Sequence, residues 1–421
     1  MSKKIEFRLN SFFSGIGGFE LGFEKVDVKT ILQCESNKFC QQVLKHHWQN
    51  IALIKDINKV NVSDIPMADI WCGGFPCQDV SVARGSKGRD GLNGKNSGLF
   101  FPFAKLIEAK KPKVLLIENV TGLLSSHDGQ DFKVVLETLS NLGYSIAWRV
   151  INSRYFGTPQ SRSRVFICAV LDNPSFALSS LYELQKGTKP SNRRDGFLAV
   201  NQCLTSGVMV PDVAYCLAAT SGRHTGTDWS RTYVSYYAAV RRLIPEECEG
   251  LQGFPIGWTA ISNNSSEIDA ERYHALGNAV CVPVVEWIAK RIKTNLLQQS
   301  PILEPNYTDA FKIHEDFKDK SLRKFQLSDV TALSEAGISK NFKWQSGGFV
   351  VGNNCWDIMA PEAPSKPTSK NLIEIISKEN ISTKYFISPN AAEGILRRVN
   401  SQKRTLFVPM HKALERMVAA G

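Results

Sequence analysis

Short apolar runs that stop abruptly at glycine or polar residues, separated by stretches of helical spacing, leave few folds open to this chain. The runs are residues 28–35 (VKTILQCE), 68–72 followed by Gly73 and Gly74, and 114–117 followed by Glu118 and Asn119. Each is brief, partly β-branched and without clean alternation, as expected of strands buried on both faces of a parallel sheet. Residues 38–47 and 100–110 lie between them with helical spacing. Strands alternating with helices in this way predict an α/β fold with a doubly wound sheet. Ligands of such sheets gather at the carboxyl ends of the strands, where Glu35, Cys77 and Glu118 all fall.

A further strand is expected at 164–170 (RVFICAV), and after Asp172-Asn173-Pro174 the texture changes. From there to about residue 240 the chain is rich in Ser, Thr, Gly and Asn, with isolated aromatic residues and no strong periodicity, as in a smaller loop-rich domain. Helical spacing returns at 278–292, where Val284, Ile288 and Ile292 recur four apart. Ser300-Pro301 and Pro305 mark a linker into residues 301–421, which hold a proline-spaced stretch at 361–370 and a basic helical segment at 391–398.

Composition narrows the function classes. A chain of 421 residues, 43% hydrophobic and 22% charged, is a globular protein of two or three domains and not a disordered one. No stretch approaches the roughly 18 consecutive apolar residues of a membrane span, and the charged start does not read as a signal peptide. Ten cysteines are scattered singly, without the paired spacings of zinc sites or the density of a disulfide scaffold. A reducing cytoplasm, no metal, and thiols acting mostly as small core residues are the expectation. The net charge of +11, from 51 Lys+Arg against 40 Asp+Glu, favours a polyanionic partner.

Four motifs carry candidate chemistry. In residues 12–24 (FFSGIGGFELGFE), glycines between a strand and a helix let the backbone turn tightly against a ligand, although a plain structural turn uses the same residues. Glu35 closes the next strand, where a carboxylate can accept hydrogen bonds from a ribose diol. In 73–78 (GGFPCQ), Cys77 stands just past a buried strand, in the cleft and away from the core; a half-buried inert thiol is the plain alternative. In 114–120 (VLLIENV), Glu118 ends a hydrophobic strand on the same sheet edge, placed either for proton transfer or to cap the next helix. In 160–164 (QSRSR), the two-residue strand period puts Gln160, Arg162 and Arg164 on one face, suited to phosphate or base edges, or to ordinary salt bridges.

Taken in order with LQGFP (251–255) and GNAV (277–280), these motifs closely resemble those of the DNA (cytosine-5) methyltransferases of prokaryotes and phages, over residues 7 to 292. The resemblance implies a Rossmann-like methyltransferase domain that uses S-adenosylmethionine and acts on double-stranded DNA. Cys77 matches the family nucleophile, which adds to carbon 6 of a flipped-out cytosine so that carbon 5 can accept the methyl group. Glu118 matches the acid on ring nitrogen 3, Asn119 helps to hold the site, and Arg164, with Arg162 beside it, matches the arginines of the catalytic set. Phe13, Gly15 and Gly17 would line the cofactor, Glu35 would hold its ribose, Asp56 and Ile57 its adenine, and Leu99 and Asn278 would close the pocket. Closure by Asn278 implies a helix that returns beside the first strand.

The expected division is then a catalytic domain at 1–171, a small target-recognition domain at 172–271, a return helix at 272–300 and a C-terminal extension at 301–421. Gln160, Arg223 and Arg231 are the expected DNA contacts, with His224, Trp229 and Tyr233 as further candidates. The resemblance implies a monomer in the cytoplasm, which either shares its target with a restriction endonuclease that it does not bind or acts as a solitary or phage-protective methylase. Three positions depart from the family pattern: Ser11 replaces an aspartate, and Glu246 and Gly250 stand where arginine is common. Residues 385–399 look like an element appended to some phage-associated members. An RNA methyltransferase, a non-catalytic DNA-binding regulator and a nicotinamide oxidoreductase are the competing readings. The intact Cys77, Glu118 and Arg164 set disfavours the regulator, and the poor dinucleotide fingerprint disfavours the oxidoreductase.

Overall fold

The computed structural model describes residues 5–76, 97–187, 195–222, 227–261, 268–298, 314–318, 320–330, 342–378 and 381–420. The chain divides into two compact units, one of Met1–Asn152, Ser163–Lys189 and Val284–Lys366, the other of Ser153–Arg162, Pro190–Pro283 and Pro367–Gly421.

The first unit is built on a ten-stranded sheet. Its strands are β1 (Phe7–Phe12), β2 (Val28–Cys34), β3 (Ala52–Ile54), β4 (Ile70–Gly73), β5 (Val114–Val120), β6 (Tyr144–Asn152), β7 (Ser163–Leu171), β8 (Arg323–Gln326), β9 (Gly347–Val351) and β10 (Asn354–Ile358). Their spatial order is β8-β10-β9-β6-β7-β5-β4-β1-β2-β3. The five strands β3, β2, β1, β4 and β5 are parallel, and every pairing from β5 outward through β7 and β6 to β8 is antiparallel. The parallel half needs helical crossovers. These include α1 (Gly18–Glu24), α2 (Lys38–His47) and α3 (Phe100–Lys110), joined later by α4 (Gln130–Asn141), α5 (Pro174–Leu181) and α6 (Val282–Gln298).

Both faces of the sheet are covered, as the unpatterned apolar runs require. Phe103 and Ile107 of α3 and Phe132 and Leu136 of α4 share one core with Phe12, Trp71, Leu115 and Trp148. Ser11, Gln33 and Cys72 alternate to the opposite face, where they surround Glu20 of α1. Gly22 of α1 lets α6 close in, since a Cβ there would sit 2.5 Å from Val285. Lys25 pairs with Glu286 at 3.0 Å on the same helix contact.

Glu20 is fully buried directly beneath the glycine loop, and burial pushes its carboxyl up to about 7. Between the ordinary carboxyl value of 4.5 and 7, the unfolded chain loses this proton while the folded chain keeps it. Stability therefore falls as pH rises through that window and stays reduced above it. Glu20→Gln is expected to flatten the decline and to gain up to about 3 kcal/mol at pH above the window, read by denaturant unfolding on both sides of it.

The second unit contains a four-stranded antiparallel sheet of Asn201–Gln202, Met209–Val210, Tyr233–Ser235 and Val240–Arg242, with helices Pro245–Gln252, Asp269–Asn278, Pro389–Ser401 and Val408–Ala420. Its centre is ionic: Arg241 forms a two-pronged pair with Glu247, and Arg272 reaches Glu246 at 2.7 Å and Glu249 at 3.1 Å. These contacts account for two of the unusual positions. Glu246 is the partner of buried Arg272, and Gly250 leaves room for Ile375, whose Cγ2 would lie 3.0 Å from a Cβ there.

Two expectations need correction. The boundary before the returning helix falls between Pro283 and Val284, so helix Asp269–Asn278 belongs to the second unit and only α6 returns to the first. Residues 301–421 form no separate unit: β8, β9 and β10 extend the main sheet beyond β6, and Pro367–Gly421 belongs with the small unit. Of the nine described cysteines seven are buried, in line with thiols acting mostly as core residues, and Cys203 and Cys216 are the exceptions. Cys203 is partly exposed, with its sulfur 3.2 Å from the Thr205 hydroxyl, and Cys216 is exposed.

Candidate active site and cofactor loop

The carboxyl ends of β1, β2 and β3 lie side by side, and each delivers one polar or strained feature. After β1, Phe13 has a φ of 54°, a left-handed conformation uncommon outside glycine. Its ring meets Phe103 edge-on at 5.8 Å. Gly17 has a φ of 90°, and a Cβ there would lie 2.3 Å from the Trp48 ring, so only glycine fits before α1. After β2, half-buried Glu35 accepts the N–H of Gly15 at 2.8 Å on one oxygen and that of Asn37 at 2.7 Å on the other. Burial raises its carboxyl above the ordinary value. After β3, Asp56 Oδ1 takes both donors of Asn58, at 3.0 and 3.1 Å, and buried Ile57 follows. Leu99, at the start of α3, packs against the same core.

Ser11 is buried beneath this loop, and Ser14 Oγ donates to its carbonyl and hydroxyl oxygens at 3.2 and 3.1 Å. The hydroxyl thus takes its place in a neutral network around Glu20, where an aspartate would put a second carboxyl beside a buried one.

A second cluster sits at the ends of β4, β5 and β7. The Nε of Arg164 meets Glu118 Oε1 at 3.0 Å, both side chains mostly buried. The register explains the pair: Val120 faces Arg164 and Glu118 faces Phe166 across antiparallel β5 and β7, so Glu118 and Arg164 are diagonal neighbours on one face. Glu118 Oε2 turns toward Gly74, where a Cβ would lie 3.2 Å from it. Asn119 is buried, with its amide donating to the Phe75 carbonyl at 3.1 Å and its oxygen accepting Val120 N–H at 2.9 Å. The strand end that leads into Cys77 is thereby tied to β5. Cys77 itself lies outside the described residues, as does Arg223.

The reading of 160–164 as one strand with three side chains on one face is overturned. Residues Gln160–Ser161 pair with Ala214–Tyr215, β7 begins at Ser163, and the chain passes from one unit to the other between Arg162 and Ser163. Gln160 is fully buried, its amide donating to Leu251 O and accepting from Leu217 N–H, so it holds the small unit together instead of facing DNA. Arg162 is equally buried and donates to the carbonyls of Leu217, Gly277 and Ala279. A guanidinium with three backbone acceptors is a structural clamp, and its burial breaks the strand.

In the same unit Arg231 donates twice to Thr220, Tyr233 is buried with its hydroxyl on Asp228, and Asn278 ends its helix with its amide 3.5 Å from His274 Nδ1. The Phe75 carbonyl tether is a contact that sequence reasoning missed. An asparagine following the acid at a strand end was its only trace.

The model of the C-5 cytosine-specific DNA methylase family matches residues 7–214 and 217–294. The chain belongs to this family. The methylase is 34% identical over 291 residues to the type II methyltransferase M.NgoBI of Neisseria gonorrhoeae, covering 65% of this chain and 89% of the relative. It is 32% identical over 311 residues to M.HaeII of Haemophilus aegyptius, covering 68% and 92%. Among solved structures, the methyltransferase EhMeth of Entamoeba histolytica superposes with a TM-score of 0.51 at 18% identity, over 70% of the methylase and 99% of that chain. Dnmt2 of S. pombe does so with 0.51 at 18%, over 69% and 99%. These two establish the Rossmann-like methyltransferase fold alone. Family and relatives together make the methylase a DNA (cytosine-5) methyltransferase, with DNA as its substrate. No helix among its described residues is long and apolar enough to cross a membrane.

Proposed function

We propose that the methylase transfers a methyl group from S-adenosylmethionine to carbon 5 of a cytosine turned out of double-stranded DNA at a short fixed sequence, through a covalent bond from Cys77. The observation that carries this reading is the corner where Arg164 orients Glu118 and Asn119 holds the Phe75 carbonyl, two residues before Cys77.

Carbon 5 of cytosine is a weak nucleophile while the ring is aromatic. Addition of the Cys77 thiolate to carbon 6 makes carbon 5 part of an enamine, and electron density moves to nitrogen 3. Held by Arg164, Glu118 in its protonated form can donate its proton to nitrogen 3 as that atom gains basicity, which stabilises the adduct. Carbon 5 then takes the methyl group. Loss of its proton to a base expels the Cys77 thiolate and restores the aromatic ring. A stacked base cannot reach this geometry, so the cytosine must leave the duplex.

The residues present fit the cofactor. A carboxylate offers about four lone-pair positions, and Glu35 accepts the backbone N–H groups of Gly15 and Asn37 with remaining capacity for a ribose hydroxyl. Asp56 keeps Oδ2 for the adenine amine, and Phe13, Ile57 and Leu99 supply apolar surface at the ends of the first three strands. Gly15 and Gly17 let the loop pass close to the methionine part. When bound, S-adenosylmethionine supplies a methyl group made electrophilic by its sulfonium. Asn278 is the proposed lid residue. The methylase would work as a monomer in the cytoplasm, against a restriction endonuclease that reads the same sequence without binding it.

Duplex DNA carrying 5-fluorocytosine tests the chemistry, because fluorine cannot leave as the proton does. A covalent complex whose protein peptide contains Cys77 is expected once the cofactor is added. An active preparation that forms no such complex would rule out the thiol adduct.

A further inference from the structure

Residues 381–420 carry seven Lys+Arg against two Asp+Glu, a net +5 of the chain's +11, whereas residues 301–380 carry ten against eleven. They form helices Pro389–Ser401 and Val408–Ala420, beyond the segment that matches the family. The helix pair is built into the small unit. Ala392, Ile395, Val399, Met410, Ala413, Leu414 and Met417 share one core with Tyr233 and Val240 of its sheet, and Ile387 N–H bonds the Val240 carbonyl.

The seven cations fall into two groups. Three are engaged in the fold: Arg398 on Asp228 at 3.0 Å, Lys384 on Asp269 at 2.6 Å, and Arg416 on the Tyr237 carbonyl and ring. The other four, Arg397, Lys403, Arg404 and Lys412, are exposed and have no carboxylate partner among the described residues. Arg404 is held over the Trp229 ring at 4.4 Å, and Trp229 is itself fixed by its indole N–H on Gln402. A rigid apolar core thus presents four uncompensated positive charges on the same unit as the expected target-recognition residues.

We propose that this helix pair is an additional DNA-holding surface, on which Arg397, Lys403, Arg404 and Lys412 bind duplex phosphates without reading bases. The inference rests on DNA being the substrate and not on the assignment of Cys77. Phosphate contacts of this kind release counterions, so each steepens the dependence of affinity on salt.

The test replaces Arg397, Lys403, Arg404 and Lys412 together by glutamine in the full chain and measures affinity for a mixed-sequence duplex across salt concentrations. A comparison variant carries Lys105, Lys113, Lys324 and Lys343→Gln, four exposed lysines of the first unit. The helix-pair variant is expected to show a log-log salt slope shallower by about 2–4 and a Kd at least about 10-fold weaker at 0.1 M salt. Its kcat on saturating DNA and its thermal midpoint should match the wild type, and the comparison variant should keep the wild-type slope. A wild-type slope and Kd in the folded helix-pair variant would overturn the proposal. So would an equal loss in the comparison variant, which would mark a general effect of net charge. Should the fourfold variant unfold, Lys403→Gln with Arg404→Gln in the turn between the helices gives the same reading at about half the change in slope.

Discussion

Cys77→Ser is expected to lower methyl transfer to duplex DNA by at least about 10⁴-fold while cofactor binding is retained. The thiol is soft and ionises within reach of neutral pH. A serine hydroxyl does neither. The cofactor residues proposed here are held independently, since Glu35 is fixed by Gly15 and Asn37, and Asp56 by Asn58. Transfer of a labelled methyl group, with calorimetric titration of the cofactor, separates the two functions. A serine variant that methylates at the wild-type rate would remove Cys77 from the reaction.

Ending the chain after residue 300 is expected to prevent the first unit from folding, even though the family match ends at residue 294. Strand β9 covers β6 from Arg149 to Ile146, and β6 has all nine residues buried. Without β9 it becomes a long apolar edge. The buried Arg149 guanidinium would lose the carbonyls of Pro361 and Ala363 and keep only that of Leu181. Removing partners from a buried charge costs about 3–5 kcal/mol. Trp344 packs edge-on against Phe132 and Trp148, and its loss would open a cavity costing a further 3–5 kcal/mol or so. Together these approach or exceed the roughly 5–15 kcal/mol that stabilises a domain. Residues 1–300 should therefore be insoluble or lack a cooperative thermal transition. A cooperatively melting, active fragment would show that residues 301–366 are dispensable.

The parallel half of the sheet was legible because its signals are local. Strands 28–34, 70–73 and 114–120 and helices 38–47 and 100–110 lie where apolar runs and helical spacing placed them. Glu35 and Glu118 stand at strand ends for the same reason. The antiparallel half was harder. The pair β9 and β10 is joined by Gly352-Asn353, a local hairpin signal, but its attachment to β6 depends on a strand some 200 residues earlier. The break at Arg162 was hidden because its acceptors, Leu217, Gly277 and Ala279, are 55 to 117 residues away. Alternation alone gives Gln160, Arg162 and Arg164 one face, whereas burial gives the first two a structural role and leaves only Arg164 beside Glu118.

On this reading the chain places a methyl group on carbon 5 of cytosine in DNA, by way of Cys77. Bisulfite sequencing of DNA from a host that expresses the wild-type chain or the Cys77→Ser variant tests it most directly. Cytosines protected from conversion are expected at one position of one recurring short sequence in the wild-type host, and none in the variant host. Complete conversion in a host that makes soluble wild-type protein, or the same protected sites with the serine variant, would contradict it.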